Sequence, residues 1–212
     1  MDEMHPLTLA VINGKRTLAA ELTRQCLAEG EDPGWIIENR LVPGMAVVGE
    51  RFKSDEIFVP EMLIAANAMK AALSILEPLL ASAGVKAAHT AVIGTVEGDL
   101  HDIGKNLVGM MWKGANIDVI DLGVNVTPAA FVKAVLEHRP EIVGMSALLT
   151  TTMPGMRKAI TAVKASGVPV KIIIGGAPVT AEFAAEMEAD GFAPDAASAV
   201  DIALELIGVA RA

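Results

Sequence analysis

Beyond Gly84 the chain repeats one pattern: a short run rich in valine and isoleucine, then a stretch of helical composition. The runs are Thr90–Val96, Ile117–Leu122, Ile142–Ser146 and Val168–Ile174, with a shorter fifth at Gly191–Pro194. The helical stretches are His101–Lys113, Pro128–His138, Met153–Ser166, Thr180–Ala189 and Ala196–Ala210. Nearly continuous apolar strands need cover on both faces, and strands separated by helices pair in parallel. The pattern predicts an α/β class, with a flavodoxin-like, doubly wound, parallel five-stranded sheet of order 2-1-3-4-5.

Before Gly84 the apolar spacing is helical throughout. Leu18, Leu22 and Leu27 form a stripe across Lys15–Glu29, which Gly30 ends. Pro33 stands at a helix start, and Pro43-Gly44 interrupts or restarts the run that carries Met45, Val48 and Phe52. Val59, Leu63, Ala66, Leu73, Leu76 and Leu80 line a face of a long helix opened by Pro60. Four or five helices without a strand predict a small all-α bundle over 1–85, ahead of the sheet domain at 86–212.

Composition narrows the function classes. Hydrophobic residues make up 52% of the 212 and charged residues 20%, enough for real cores. A net charge of −9 and only 3% aromatics supply neither basic stripes nor stacking rings, so nucleic acid is not an expected partner. The one cysteine, Cys26, excludes an internal disulfide and a cysteine-cluster metal site, and its spacing reads as a core or half-buried thiol. No basic leader opens the chain, and the most apolar stretch, Val59–Val85, is interrupted by Glu61, Lys70 and Glu77. It reads as an amphipathic helix rather than a membrane span, and the expected location is the cytoplasm, with no membrane partner.

In a doubly wound sheet, ligands bind beyond the carboxyl ends of the strands, where the strand order switches. Asp99, His101 and Gly104 follow the first strand, Ser146-Ala147-Leu148 ends the third, and Gly175-Gly176 ends the fourth. These three strands are expected neighbours, so the three segments converge on one crevice. A histidine on such a loop can reach outward to a metal, and a carboxylate two residues earlier can hold its other ring nitrogen. Asp102 reads as an N-cap, and His5, His89 and His138 as solvent-facing.

The segment Val96-Glu97-Gly98-Asp99-Leu100-His101-Asp102-Ile103-Gly104-Lys105-Asn106 resembles the corrinoid-binding signature of cobalamin-dependent methyltransferases. That signature is Asp-x-His-x-x-Gly, then Ser-x-Leu, then Gly-Gly, and all three parts occur here in order. Leu41-Val42-Pro43-Gly44-Met45 and Phe58-Val59-Pro60-Glu61-Met62-Leu63 resemble the helical cap of the same proteins. The likeness covers nearly the whole chain. It is to stand-alone corrinoid proteins of methanol, methylamine and O-demethylase systems, and to the cobalamin module of methionine synthase.

The resemblance implies a corrinoid (cobalamin, methylcobalamin) bound base-off, with His101 as lower axial ligand to cobalt and Asp99 accepting from its other nitrogen. Thr152 stands where the methionine synthases place the serine that closes the triad. Gly104, Ser146, Leu148, Gly175 and Gly176 would line the slot for the nucleotide tail. Phe52 and Val59 would cap the upper face, Val59 with less cover than the leucine it replaces, and the cap would open about Ser82–His89. The implied role is a carrier rather than a catalyst. Methyl would pass between a substrate-specific methyltransferase and a corrinoid:acceptor methyltransferase (to folate or thiol) through Co(I) and methyl-Co(III), with a reductive activator as a further partner. Alternatives are a cobalamin-sensing regulator, which would need an output domain, and the small subunit of an adenosylcobalamin mutase, which generally lacks the cap. A phosphoacceptor or flavin protein would share only the sheet.

Overall fold

The computed structural model describes residues 4–83 and 89–209. The chain divides into two compact units, Met1–Ala88 with Gly114–Asn116, and His89–Lys113 with Ile117–Ala212. The stretch expected to act as a hinge, Ser82–His89, falls largely outside the described residues.

The first unit holds α1 (Pro6–Ile12), α2 (Arg16–Ala28), α3 (Pro33–Ile36), a π-helical turn (Ile37–Leu41), α4 (Val42–Lys53) and α5 (Val59–Ser82). Proline opens α1 and α3, and a side chain caps each: the His5 ring accepts from Leu7 N–H and the Asp32 carboxylate from Trp35 N–H. Pro43 has no N–H to give the carbonyl four residues back. The backbone widens ahead of it, with Val42 N–H reaching Ile37 O, five residues back, before α4 runs on.

The buried face of α2 differs from the leucine stripe expected of it, whereas on α5 three members of the expected stripe, Ala66, Leu73 and Leu76, are buried. On α2 the buried residues are Ala19, Thr23 and Cys26, while Leu18 is exposed. On α5 they include Met62, Ala65, Met69, Ala72 and Leu76, while Val59 is partly exposed. Small side chains let two helices approach closely, and on α2 alanine, threonine and cysteine occupy the face that the bulkier leucines were expected to fill. The segment Val59–Leu80 is apolar and long enough by composition to cross a bilayer, with this buried stripe along it.

The second unit is an all-parallel sheet of order β2-β1-β3-β4-β5. Its strands are β1 (His89–Thr95), β2 (Ile117–Asp121), β3 (Ile142–Ser146), β4 (Lys171–Gly175) and β5 (Gly191–Ala193). Between and after them run α6 (Ile103–Gly114), α7 (Pro128–His138), α8 (Met153–Ala165), α9 (Ala181–Glu186) and α10 (Ala196–Leu206). The expected order and class hold. The start of β4 moves from Val168 to Lys171 because Pro169 has no N–H for the ladder, and Lys171 N–H makes the first bond, to Glu141 O.

Two glycines in the central strands make room for the largest rings. A Cβ on Gly94 would lie 2.9 Å from Phe131 Cζ, and one on Gly144 would lie 2.7 Å from Trp112 Cη2. Both rings are fully buried, and the Trp112 indole N–H donates to Ala199 O (2.9 Å), so its burial leaves no orphan donor. Three residues come into register along the carboxyl edge: Thr95 beside Ser146, and Ser146 beside Gly175.

Two histidines expected to face solvent have partners. His5 caps α1, and His89 Nδ1 lies 2.9 Å from Glu141, whose other oxygen accepts from Thr90 N–H. The Asp102 carboxylate, expected to cap α6 through backbone N–H groups, accepts instead from the Asn106 side-chain amide (3.0 Å).

Candidate functional site

β1 and β3 lie side by side, while β1 continues through α6 to β2 on its other flank; their carboxyl ends form the switch point. Asp99 sits there with no solvent exposure. Its two oxygens divide the work. Oδ1 accepts from the His101 backbone N–H (3.0 Å) and lies 2.7 Å from His101 Nδ1. Oδ2 accepts from Leu148 N–H (2.7 Å), Leu149 N–H (3.3 Å) and the Thr152 hydroxyl (2.8 Å). One carboxylate thereby ties the β1–α6 loop to the β3–α8 loop.

Burial alone would raise the Asp99 pKa. The bonds from the His101 and Leu148 backbone N–H groups, the His101 ring and the Thr152 hydroxyl outweigh it and hold the carboxyl well below the usual range. Asp99 is therefore an anion at neutral pH and accepts a hydrogen bond from the Nδ1–H of His101. In the neutral ring this leaves the lone pair on Nε2. The His101 side chain is 50% exposed, so the ring is gripped on its Nδ1 side and open to solvent elsewhere.

Thr152 fits where a serine was the pattern. Its hydroxyl lies 2.8 Å from both Asp99 Oδ2 and Leu149 O, and one O–H proton serves two acceptors. The extra methyl faces Gly98, where even an added Cβ would stay 3.6 Å away.

Other residues hold the loop without a recognisable sequence signal. The buried Thr95 hydroxyl donates to His101 O (2.9 Å). Asn125 accepts from Gly98 N–H (2.8 Å) and donates its own N–H to Asp99 O (3.0 Å). Lys105 is buried, its ammonium 2.6 Å from both oxygens of Asp121 and 2.7 Å from Asn106 Oδ1. Asp121 Oδ1 in turn accepts from Gly123 N–H. Lys105 lay inside the quoted signature with no role attached; burial supplies one.

Around His101 the surface is apolar. Leu100 and Ile103 are 72% and 75% exposed, and Leu148, Leu149 and Val124 are also exposed. The glycines beside it fall into two kinds. A Cβ at Gly104 would meet nothing within 4 Å. At Gly175 it would meet Ala193 O at 2.7 Å, and at Gly176 it would run into Ala147 O at 1.9 Å, on a backbone with φ of +125°. Those two make room for the protein's own chain, whereas Gly104 leaves space outside it. Ser146 is half-buried at the end of β3. Phe52, half-buried in α4, and Val59, at the start of α5, belong to the helical unit, where the neighbouring Phe58 is 63% exposed.

The family of B12-binding domains matches residues 89–202, and a second B12-binding domain family matches residues 4–77. The chain belongs to the B12-binding corrinoid proteins. It is 38% identical over 213 residues to a corrinoid protein of Desulfitobacterium hafniense, covering 98% of this chain and 99% of that one. It is 41% identical over 187 residues to trimethylamine corrinoid protein 2 of Methanosarcina mazei, covering 86% of each. Its fold superposes with a TM-score of 0.86 and 29% identity on a chain of the methanol:cobalamin methyltransferase complex MtaBC of Methanosarcina barkeri, over 97% of this chain and 79% of that chain. These relatives make it a corrinoid protein of the kind that serves methyltransferases.

The site of this corrinoid protein suits the cofactor on its own geometry. A half-exposed imidazole with its second nitrogen fixed, exposed apolar side chains around it, and an open space at Gly104 are what a wide, apolar macrocycle with a metal at its centre requires.

Proposed function

We propose that this corrinoid protein carries methyl groups between two methyltransferases, holding its corrinoid base-off with His101 as the lower ligand to cobalt. The observation that carries the reading is the bond between the buried Asp99 anion and His101 Nδ1, which leaves Nε2 free. When bound, the corrinoid supplies the cobalt centre that accepts and donates the methyl group. The chain supplies the rest. Asp99 fixes the ring's orientation and tautomer, and Thr152, with the Leu148 and Leu149 amides, holds Asp99 ionised. Leu100, Ile103 and Leu148 offer apolar surface, and Gly104 leaves room beside it.

Held by Asp99 at Nδ1, the His101 ring would present Nε2 to a metal in one fixed orientation. Gly104, Ser146 and Leu148 border the slot for the displaced tail, with Gly175 and Gly176 shaping its floor. In this reading Phe52 and Val59, on the cap domain of 1–85, would serve the cofactor's other face, and the corrinoid would be held by the domain of 86–212. The partners are a substrate-specific methyltransferase, a corrinoid:acceptor methyltransferase and a reductive activator, met in the cytoplasm; the donor is chosen by the first of these.

The test is the visible spectrum of the reconstituted protein. His101→Ala should give the spectrum of a corrinoid without a lower nitrogen ligand, and Asp99→Asn should weaken histidine ligation. A wild-type spectrum from either variant would remove His101 from the metal.

A further inference from the structure

In the helical unit three metal-binding side chains meet that no sequence motif joins. A ring nitrogen of His5 at the cap of α1, the Cys26 thiol on α2 and a carboxylate oxygen of Glu31 in the α2–α3 loop lie within 4.8 Å of one another. From this juxtaposition we propose that His5, Cys26 and Glu31 form a site for a zinc-class divalent cation, separate from the corrinoid.

The carboxylate and the imidazole are prepared for it, whereas burial, and after it the neighbouring Glu31 charge, push the Cys26 thiol up, so the metal must displace its proton. Cys26 is 2% exposed. Glu31 Oε1 takes the Arg40 guanidinium at 3.3 Å, while Glu31 Oε2 and Arg40 Nε are both buried without a hydrogen-bond partner. A buried carboxylate oxygen without a partner is costly, and a cation would satisfy it. The His5 ring is kept neutral by burial and by the Arg40 charge, so a lone pair is present for a metal. Leu7 N–H donates to His5 Nδ1 (3.2 Å), which fixes the ring at the head of α1.

A thiolate, an imidazole and a carboxylate are the zinc donor set. Bonds of about 2.0–2.3 Å place tetrahedral donors roughly 3.5 Å apart, so the three need close in by only about 1 Å. Binding exchanges the thiol proton for the metal: the S–H bond breaks, the S–metal bond forms and the proton leaves to water. Charge closes as well. Glu29, Glu31 and the thiolate balance the dication and Arg40, the charged neighbours that act on His5 and Cys26. Arg40 itself lies 4.4 Å from the Trp35 ring centre, which, with Glu31 Oε1, holds its cation on the far oxygen of the carboxylate.

Because Cys26 is the single cysteine, its thiol reports this site alone. Zinc chloride titrated into the chelator-treated full chain, against a chromophoric zinc chelator, should bind one per chain and slow modification of Cys26 by a thiol reagent. His5→Gln and Glu31→Gln should each lower zinc affinity by at least about 10-fold and lose that protection, while corrinoid loading stays unchanged. Should a variant fold poorly, cobalt(II) added to the corrin-free wild-type chain serves instead, and a thiolate-to-metal charge-transfer band supports the site. Unaltered Cys26 reactivity with zinc, wild-type zinc affinity in both folded variants, or a cobalt spectrum without that band would overturn it.

Discussion

Among single residues Asp99 ties the site together, its two oxygens receiving bonds from four residues. The direction of its shift fixes a pH dependence. A carboxyl that titrates lower in the folded than in the unfolded chain adds stability above its ordinary value of 3.8, and that share is lost as pH falls below it. Urea midpoints should therefore drop on acidification through this range, and Asp99→Asn should drop less, because it has no such share to lose. At neutral pH Thr152→Ala should cost about 1.5–3 kcal/mol by urea unfolding, one hydrogen bond to a charged group, and Thr152→Ser should recover most of it. The sequence exposed Asp99, His101 and Thr152 because their side chains carry the pattern. It could not expose the Leu148 and Leu149 amides, since every residue but proline has one. Nor did it single out Thr95 or Asn125, whose partners are backbone atoms of the loop.

At the scale of elements the sheet was readable and the helix faces only in part. Strands buried on both sides show as unbroken valine and isoleucine, and their order follows from the alternation with helices. A helix face is set by what packs closest: on α2 alanine, threonine and cysteine prevailed over leucine, while on α5 Ala66, Leu73 and Leu76 of the expected stripe are buried beside Met62 and Met69. The glycines at the strand ends looked alike in sequence and differ in what surrounds them. Gly176→Ala should destabilise the fold by more than about 3 kcal/mol, because its Cβ would occupy the position of Ala147 O on a left-handed backbone. Gly104→Ala should leave the thermal midpoint of the corrin-free chain unchanged or slightly raised, because it replaces a helical glycine facing open space. Its effect should fall on the cofactor instead, as weaker corrinoid binding in equilibrium titration.

At the scale of the whole molecule, a net charge of −9 makes docking to methyltransferases sensitive to salt. If partners present basic faces, the second-order rate of methyl transfer should fall as ionic strength rises, with little change in the first-order step within the complex; stopped-flow traces over a salt series separate the two. Both units match B12-binding families, so the chain is cofactor machinery along most of its length. The central claim is that an imidazole of this chain replaces the cofactor's own base on cobalt. Electron paramagnetic resonance of the reconstituted, one-electron-reduced protein, made once with natural nitrogen and once with 15N in the protein only, reads that bond directly. The account predicts that the axial nitrogen splitting changes from three lines to two on labelling and is lost in His101→Ala; a splitting that labelling leaves at three lines would mean that the cofactor's own base still holds the metal.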